Sequence, residues 1–229
     1  MKLAIMQPYF FPYIGYFQLI NAVDKFVIYD DVTFIKQGWI NRNRILLNSK
    51  EHLITLNLKK ASSFKFINDI EIHDNRNKIL KTIEMAYKKA PFYNNTFSLI
   101  EEIIFFNEKN LSYFLKNSIN KLAAFLNIKT EFILSSTLIK NNDIKGQNKV
   151  IDICKKMNTS TYINSIGGQE LYSKEIFLKN NIYLKFIKSK PIIYNQFKNE
   201  FVSCLSIIDI LMFNSKEEIA GMLNQYELI

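Results

Sequence analysis

Apolar and polar positions along the chain alternate between two periods. KLAIM (residues 2–6) is a short apolar run closed by Pro8, which predicts a buried strand. GYFQLINAV, just after Pro12, fits a helix, and KFVIYDDV, β-branched and aromatic, a second strand. Two strands joined by a helix make a βαβ unit with a parallel sheet. EHLITLNL predicts a third strand. From about residue 75 to 127 apolar side chains recur three or four apart: RNKILKTIEMAYKKA, which stops before Pro91, then FSLIEEIIFF and NLSYFLKNSINKLAAFL. TEFILSS returns to a strand pattern. Helix (about 147–157), strand (TYINSI), helix (SKEIFLKN) and strand (IYLKFIK) follow. LSIIDILMFN and SKEEIAGMLNQY are expected to be helical, and Ser215 with Glu218 has capping-box spacing. The alternation predicts an α/β fold. Its core is a parallel, Rossmann-like sheet in one domain spanning 1–229, with a helical insertion or cap at about 75–127.

Composition narrows the class. Of 229 residues, 48% are apolar and 14% aromatic, which excludes a disordered chain. No apolar run reaches bilayer-spanning length, and the N-terminal residues lack the features of a secretory signal, so no membrane insertion and a cytoplasmic location are expected. Cys154 and Cys204 lie far apart with no CxxC or Cys/His cluster. Both are therefore expected to be buried, unpaired thiols, and no metal site is expected. The net charge of +9 comes from 27 Lys and three Arg spread along an asparagine-rich chain. That pattern matches the drift of an AT-rich genome better than a nucleic-acid interface, so no nucleic-acid partner is expected. Two of the three arginines stand one residue apart in NRNR, at Arg42 and Arg44.

Ligands of open parallel sheets bind outside the carboxyl ends of the strands. Three polar stretches are expected there. MQPYFFPYIGYFQLI packs six aromatics and two prolines around Gly15 and offers Gln7, Tyr13 and Tyr16 at a helix start, where N–H groups attract anions. YDDVTFIKQGWINRNR offers Asp30, Asp31, Lys36, Trp39, Asn41, Arg42 and Arg44. INSIGGQELY offers Gly167, Gly168, Gln169 and Glu170, the glycines permitting close backbone approach. The aromatics could equally be core, the aspartates turn caps and the arginines solvated. Against that, guanidinium forks suit phosphate and carboxylate. His52 and His73 are the only histidines, so no Ser/His/Asp set exists.

The stretches MQPYFFPYIGYFQLINAVDKFVIYDDVTFIKQGWINRNRI, KTIEMAYKKAPFY, YINSIGGQELY and NEFVSCLSIIDILMFNSKEEI resemble, nearly end to end, the WbqC-like proteins. That family occurs in bacterial gene clusters for O-antigen and other surface glycans and is described as glycine (aminoacyl) transferases. The resemblance implies a cytoplasmic enzyme that modifies a sugar precursor. A weaker resemblance runs to nucleotidylyltransferases and pantothenate synthetase. YIGY (13–16) stands where they carry H-x-G-H, with tyrosine replacing both histidines, and it implies a nucleotidyltransferase-like variant of the same core.

The reading that follows is a transferase joining an acyl or aminoacyl group to a sugar precursor or nucleotide-sugar. Arg42, Arg44 and Lys36 hold an anionic group, Asp30 or Asp31 acts as base, Gln7, Tyr13, Tyr16, Trp39 and Asn41 line the pocket, and 167–170 close it. ATP or a nucleotide-linked donor is the cofactor expectation, and the oligomeric state stays open. Two alternatives remain: an ATP-dependent adenylate-forming ligase, and a non-catalytic carbohydrate- or nucleotide-binding module. Gathering of Asp30, Asp31, Arg42 and Arg44 around one pocket favours an enzyme; their dispersal favours the module.

Overall fold

A computed structural model describes residues 1–141, 143–197 and 200–229. In chain order the elements are β1 (Lys2–Met6), α1 (Ile14–Asn21), β2 (Lys25–Ile28), β3 (Arg42–Leu47), β4 (Lys50–Thr55), β5 (Leu58–Lys59), β6 (Glu71–Ile72), α2 (Arg76–Tyr87), α3 (Tyr93–Ile104), α4 (Leu111–Phe125), β7 (Glu131–Leu134), α5 (Gly146–Lys156), β8 (Thr161–Ser165), α6 (Lys174–Lys179), β9 (Tyr183–Ser189), α7 (Ile207–Phe213), α8 (Lys216–Met222) and β10 (Tyr226–Leu228). No helix among the described residues is long and apolar enough to cross a membrane.

The central sheet runs β10-β9-β8-β1-β2-β7, parallel throughout except for the antiparallel pair β9-β10. From β1 the chain steps outward to β2 and β7, then returns to β8 on the other flank of β1 and steps outward to β9. This is the Rossmann-like winding that the alternation of elements predicts. It places a topological switch point between the carboxyl ends of β1 and β8, the crevice where such sheets bind ligands.

The period-two alternation of each strand divides the core into two layers. Leu3, Ile5 and Val27 pack against Val150, Ile153 and Cys154 of α5 and Phe177 of α6. Ala4, Phe26 and Ile28 pack on the opposite face with α1 and with buried residues of α2, α3, α4, α7 and α8. The helical span expected at 75–127 is α2, α3 and α4, and its buried side chains share one cluster with α1.

Two segments depart from the sequence expectation. EHLITLNL does not extend the central sheet. Its β4 pairs with β3 in a separate antiparallel hairpin, turned by Asn48 and Ser49, both with positive φ (50° and 64°). Two left-handed residues match the strand twist of a two-residue hairpin. The final helix also ends early. Gln18 of α1 donates its amide to the carbonyls of Met222 (2.8 Å) and Gln225 (3.1 Å), satisfying the end of α8 and releasing the chain into β10. The start of α8 carries the expected capping box: Glu218 N–H donates to Ser215 Oγ (3.2 Å) and Ser215 N–H to Glu218 Oε2 (2.7 Å).

Candidate functional site

The opening loop is anchored by two segments distant in sequence. Phe10 and Phe11 are fully buried. Phe10 N–H donates to the Trp39 carbonyl (3.0 Å), and the Asn43 amide donates to the carbonyls of Phe10 (3.0 Å) and Phe11 (2.8 Å). Ser206 Oγ donates to the Phe11 carbonyl (2.7 Å), Ile207 N–H to that of Pro12 (2.9 Å) and Ser206 N–H to that of Arg44 (2.8 Å). These contacts hold Phe11 at φ 43°, a left-handed conformation that costs a bulky residue roughly 1–3 kcal/mol unless its surroundings fix it. Residues 9–13, 39–44 and 204–207 therefore form one rigid unit.

A cleft opens where the three segments meet. One cavity, of about 340 Å³, is lined by Tyr9, Tyr13, Trp39, Asn43, Arg44 and Cys204. A second, of about 470 Å³, shares Tyr13 and Cys204 and is completed by Lys190, Tyr194, Phe201 and Ser203. The Arg44 guanidinium lies 5.1 Å from the Trp39 ring centroid, a cation–π geometry. Its Nη1 pairs with Glu51 Oε2 at 2.8 Å, and its buried Nε has no partner among the described residues. Burial pushes the Tyr9 and Tyr13 phenols above their ordinary values, so both are neutral hydrogen-bonding groups near neutral pH.

The first turn of α1 is not open to an anion. A Cβ on Gly15 would stand 2.4 Å from Cε2 of Tyr13, so the phenol ring rests on the glycine and covers the helix start. Gly15 makes room for a side chain of the protein itself. Tyr16 is buried and donates its hydroxyl to the Gln7 carbonyl (2.9 Å), a contact that holds the turn after β1.

The other expected site residues lie elsewhere. Asp30 is buried and saturated: it accepts from Ser112 Oγ (2.8 Å), Ser136 Oγ (2.7 Å) and Ser136 N–H (2.9 Å), tying the end of β2 to α4 and to the segment after β7. That geometry leaves it no route to act as a base in the cleft. Asp31 pairs with Lys140 (2.8 Å) and Lys149 (3.4 Å). Burial alone would raise its carboxyl, but the close approach of Lys140 and the charges of Lys140 and Lys149 outweigh that and hold it below the ordinary value. Arg42 turns away from the cleft and donates to the Gln37 and Gly38 carbonyls (3.1 Å to the latter), and Asn41 donates to the Leu56 carbonyl (2.9 Å). Lys36 is exposed. Gly167, Gln169 and Glu170 are exposed in a 3-10 turn after β8, where Gly168 is buried because a Cβ would meet the Asn164 amide at 2.6 Å. Of the expected set, the structure brings Tyr13, Trp39 and Arg44 together around the cleft. His52 and His73 are exposed.

Sequence reasoning missed Tyr9, Asn43, Cys204 and Tyr194. Asn43 sits inside NRNR, but nothing in a polar run says which residue is buried. Cys204, expected to be buried, is exposed at φ 57° on the wall between the cavities, whereas Cys154 is buried in α5; both are free. A maleimide is expected to label Cys204 in the folded protein and to spare Cys154, whose thiol burial pushes up to about 12. Mass spectrometry of the labelled peptides checks this, and equal labelling of both thiols would contradict the assigned burial. Cys204→Ala is expected to keep its melting temperature.

A family model described as the WbqC-like protein family matches residues 7–220. The uncharacterized protein Rv1507c of Mycobacterium tuberculosis (strain ATCC 25618 / H37Rv) is 26% identical over 215 residues, covering 92% of each chain. No solved structure matches the chain. The matched span takes in all three segments that build the cleft.

Proposed function

The chain belongs to the WbqC-like protein family, and on that premise we propose that it is a transferase moving an acyl or aminoacyl group, of the glycyl type, onto a sugar precursor for a bacterial surface polysaccharide. One observation carries this reading: two adjoining cavities, of about 340 and 470 Å³, share a wall at Tyr13 and Cys204. Each falls within the size range of small-molecule sites. A transfer reaction needs a donor and an acceptor held side by side, since fixing both removes the entropy of bringing them together. The smaller cavity has the chemistry for an anionic sugar derivative. Trp39 and Tyr13 offer ring faces to the C–H face of a sugar, and the Arg44 guanidinium, which lines the same cavity, offers its charge to a phosphate or carboxylate.

A second reading, a non-catalytic carbohydrate- or nucleotide-binding module, has its own support. No carboxylate or imidazole lines either cavity among the described residues, and Asp30, Asp31, Arg42 and Arg44 do not gather around one pocket. The Tyr13 ring covers the α1 start where a nucleotidyltransferase-like site would dock ATP, so the ligase reading has the least support. Nucleotide-sugars, nucleoside triphosphates and amino acids, tested separately by calorimetry, separate the readings. Binding of a nucleotide-sugar, with a mass gain on the sugar when glycine, ATP and a bacterial extract are supplied as donor source, supports the transferase. Binding without modification supports the module, and binding of none of these ligands overturns both.

A further inference from the structure

Outside the cleft, the ends of β2, β7 and α5 converge on a buried charge cluster in which two lysines share one carboxylate oxygen of Asp31. Asp31 follows β2, Lys140 follows β7, and Lys149 stands in the first turns of α5. Lys140 and Lys149 both approach Asp31 Oδ2, at 2.8 and 3.4 Å. The side chains are 2% (Lys140), 11% (Lys149) and 12% (Asp31) exposed. One carboxylate neutralises one ammonium. The second ammonium, largely removed from water, is left with donors that want further acceptors.

The two lysines are not equivalent. Lys140 is consumed: besides Asp31 it donates to the Ser135 carbonyl. Lys149 carries three N–H donors, and its one acceptor among the described residues is Asp31, at the long end of hydrogen-bond range. Its remaining contact is the face of the Tyr29 ring, 5.5 Å from the centroid. A helical side chain leans toward its own N-terminus, so the Lys149 ammonium adds to the N–H groups and partial positive charge at the start of α5, where Lys145 supplies no side-chain cap. These groups stand at the carboxyl ends of the parallel strands, the ligand-binding edge of this winding.

We propose that Lys149, oriented by Asp31 and Tyr29, binds the phosphate or diphosphate group of a nucleotide at the start of α5. A phosphate brings several oxygens to one ammonium with unused donors and to a helix start. Asp31 positions Lys149; it does not itself touch the ligand. None of these residues lines the cleft, so the site stands whether or not the cleft transfers a group.

Calorimetry with inorganic pyrophosphate, uridine diphosphate and acetate tests it on the full chain. The unaltered protein is expected to bind pyrophosphate and uridine diphosphate, more weakly as salt rises, and to bind acetate far less. Lys149→Gln is expected to weaken both phosphate ligands at least tenfold, and Lys149→Arg to retain most of the affinity. Lys149→Met, which keeps the apolar stem, provides a second neutral variant. Binding of uridine diphosphate without pyrophosphate binding, acetate binding equal to that of pyrophosphate, or unchanged affinity in Lys149→Gln each overturns the proposal. If both neutral variants unfold while Lys149→Arg folds, the lysine is a structural ion-pair partner and the proposal also fails.

Discussion

Asp209→Ala is expected to lower the melting temperature by about 10–15 °C. Asp209 is fully buried in α7 and accepts from Tyr87 Oη (2.7 Å), Tyr194 Oη (2.6 Å) and Gln196 Nε2 (2.6 Å). The Tyr87 hydroxyl in turn accepts from Leu46 N–H (2.8 Å). One carboxylate thus ties α2, α7, the hairpin strand β3 and the segment that walls the larger cavity. Alanine leaves the Tyr87 and Tyr194 hydroxyls without an acceptor, while Gln196 Nε2 keeps the Val202 carbonyl (3.0 Å), at a combined cost on the order of 3–5 kcal/mol. In a domain of this size each kcal/mol moves the melting point by roughly 2–4 °C. Tyr87→Phe, which strands fewer groups, is expected to fall by less than half as much. Thermal unfolding followed by circular dichroism measures both, and a drop below about 3 °C for Asp209→Ala would show that the network is dispensable.

The two aspartates titrate with opposite signs. Burial raises the Asp209 carboxyl, with Tyr194, Tyr87 and Gln196 pulling it partly back. The folded state then holds more protons than the unfolded one as pH rises from the ordinary aspartate value to the raised one, so Asp209 removes stability across that window. The Asp31 carboxyl is lowered, so its contribution is present above the ordinary value of 3.8 and is lost as pH falls through the folded one. Asp209→Asn should flatten the first trend and leave the second.

Arg44→Ala is expected to weaken binding of an anionic sugar ligand by about ten- to a hundredfold, the loss of one charge-assisted hydrogen bond of roughly 1.5–3 kcal/mol. Stability should change little. The Arg44–Glu51 pair is partly exposed, with side chains 30% and 45% accessible, and such pairs contribute about 0–1 kcal/mol. Arg44→Lys keeps the charge but loses the planar fork and the packing on Trp39, so it should recover only part of the affinity. Arg42→Lys is the control. The two arginines alternate on one strand face, which made both of them anion-binding candidates, yet Arg42 bends back to close the 37–42 turn. Calorimetry across the three variants decides the matter, and an Arg44→Ala protein that binds as tightly as the parent removes the residue from the site.

What the sequence showed well is what depends on neighbours within a few residues. Periodicity located β1, α1, α2 to α4 and the late β-α alternation, because burial of one face repeats locally. It missed β3, whose polar NRNR start hides a strand and whose turn uses Asn48 and Ser49 instead of glycine. It also lost β10, too short at three residues to show a period. The site was legible only in part. Arg44, Trp39 and Tyr13 stood out by rarity or setting. The fate of Asp30 depended on Ser112 and Ser136, 82 and 106 residues away, and that of Asp31 on Lys149, 118 residues away. No local pattern records such partners.

The place of β1 in the sheet has a consequence for how the chain assembles during synthesis. β1 meets β2 soon after it emerges, but its other edge waits for β8, which pairs from Thr161 onward. At roughly 5–20 residues per second that wait is on the order of ten seconds. Throughout it, a central strand of the finished sheet presents an unpaired apolar edge, an invitation to pair with another chain. Closure of the sheet is a long-range event, so refolding is expected to be slow compared with helical proteins of similar length. Yield in the cell should accordingly depend more on chaperone capacity and synthesis rate than on the stability of the folded product.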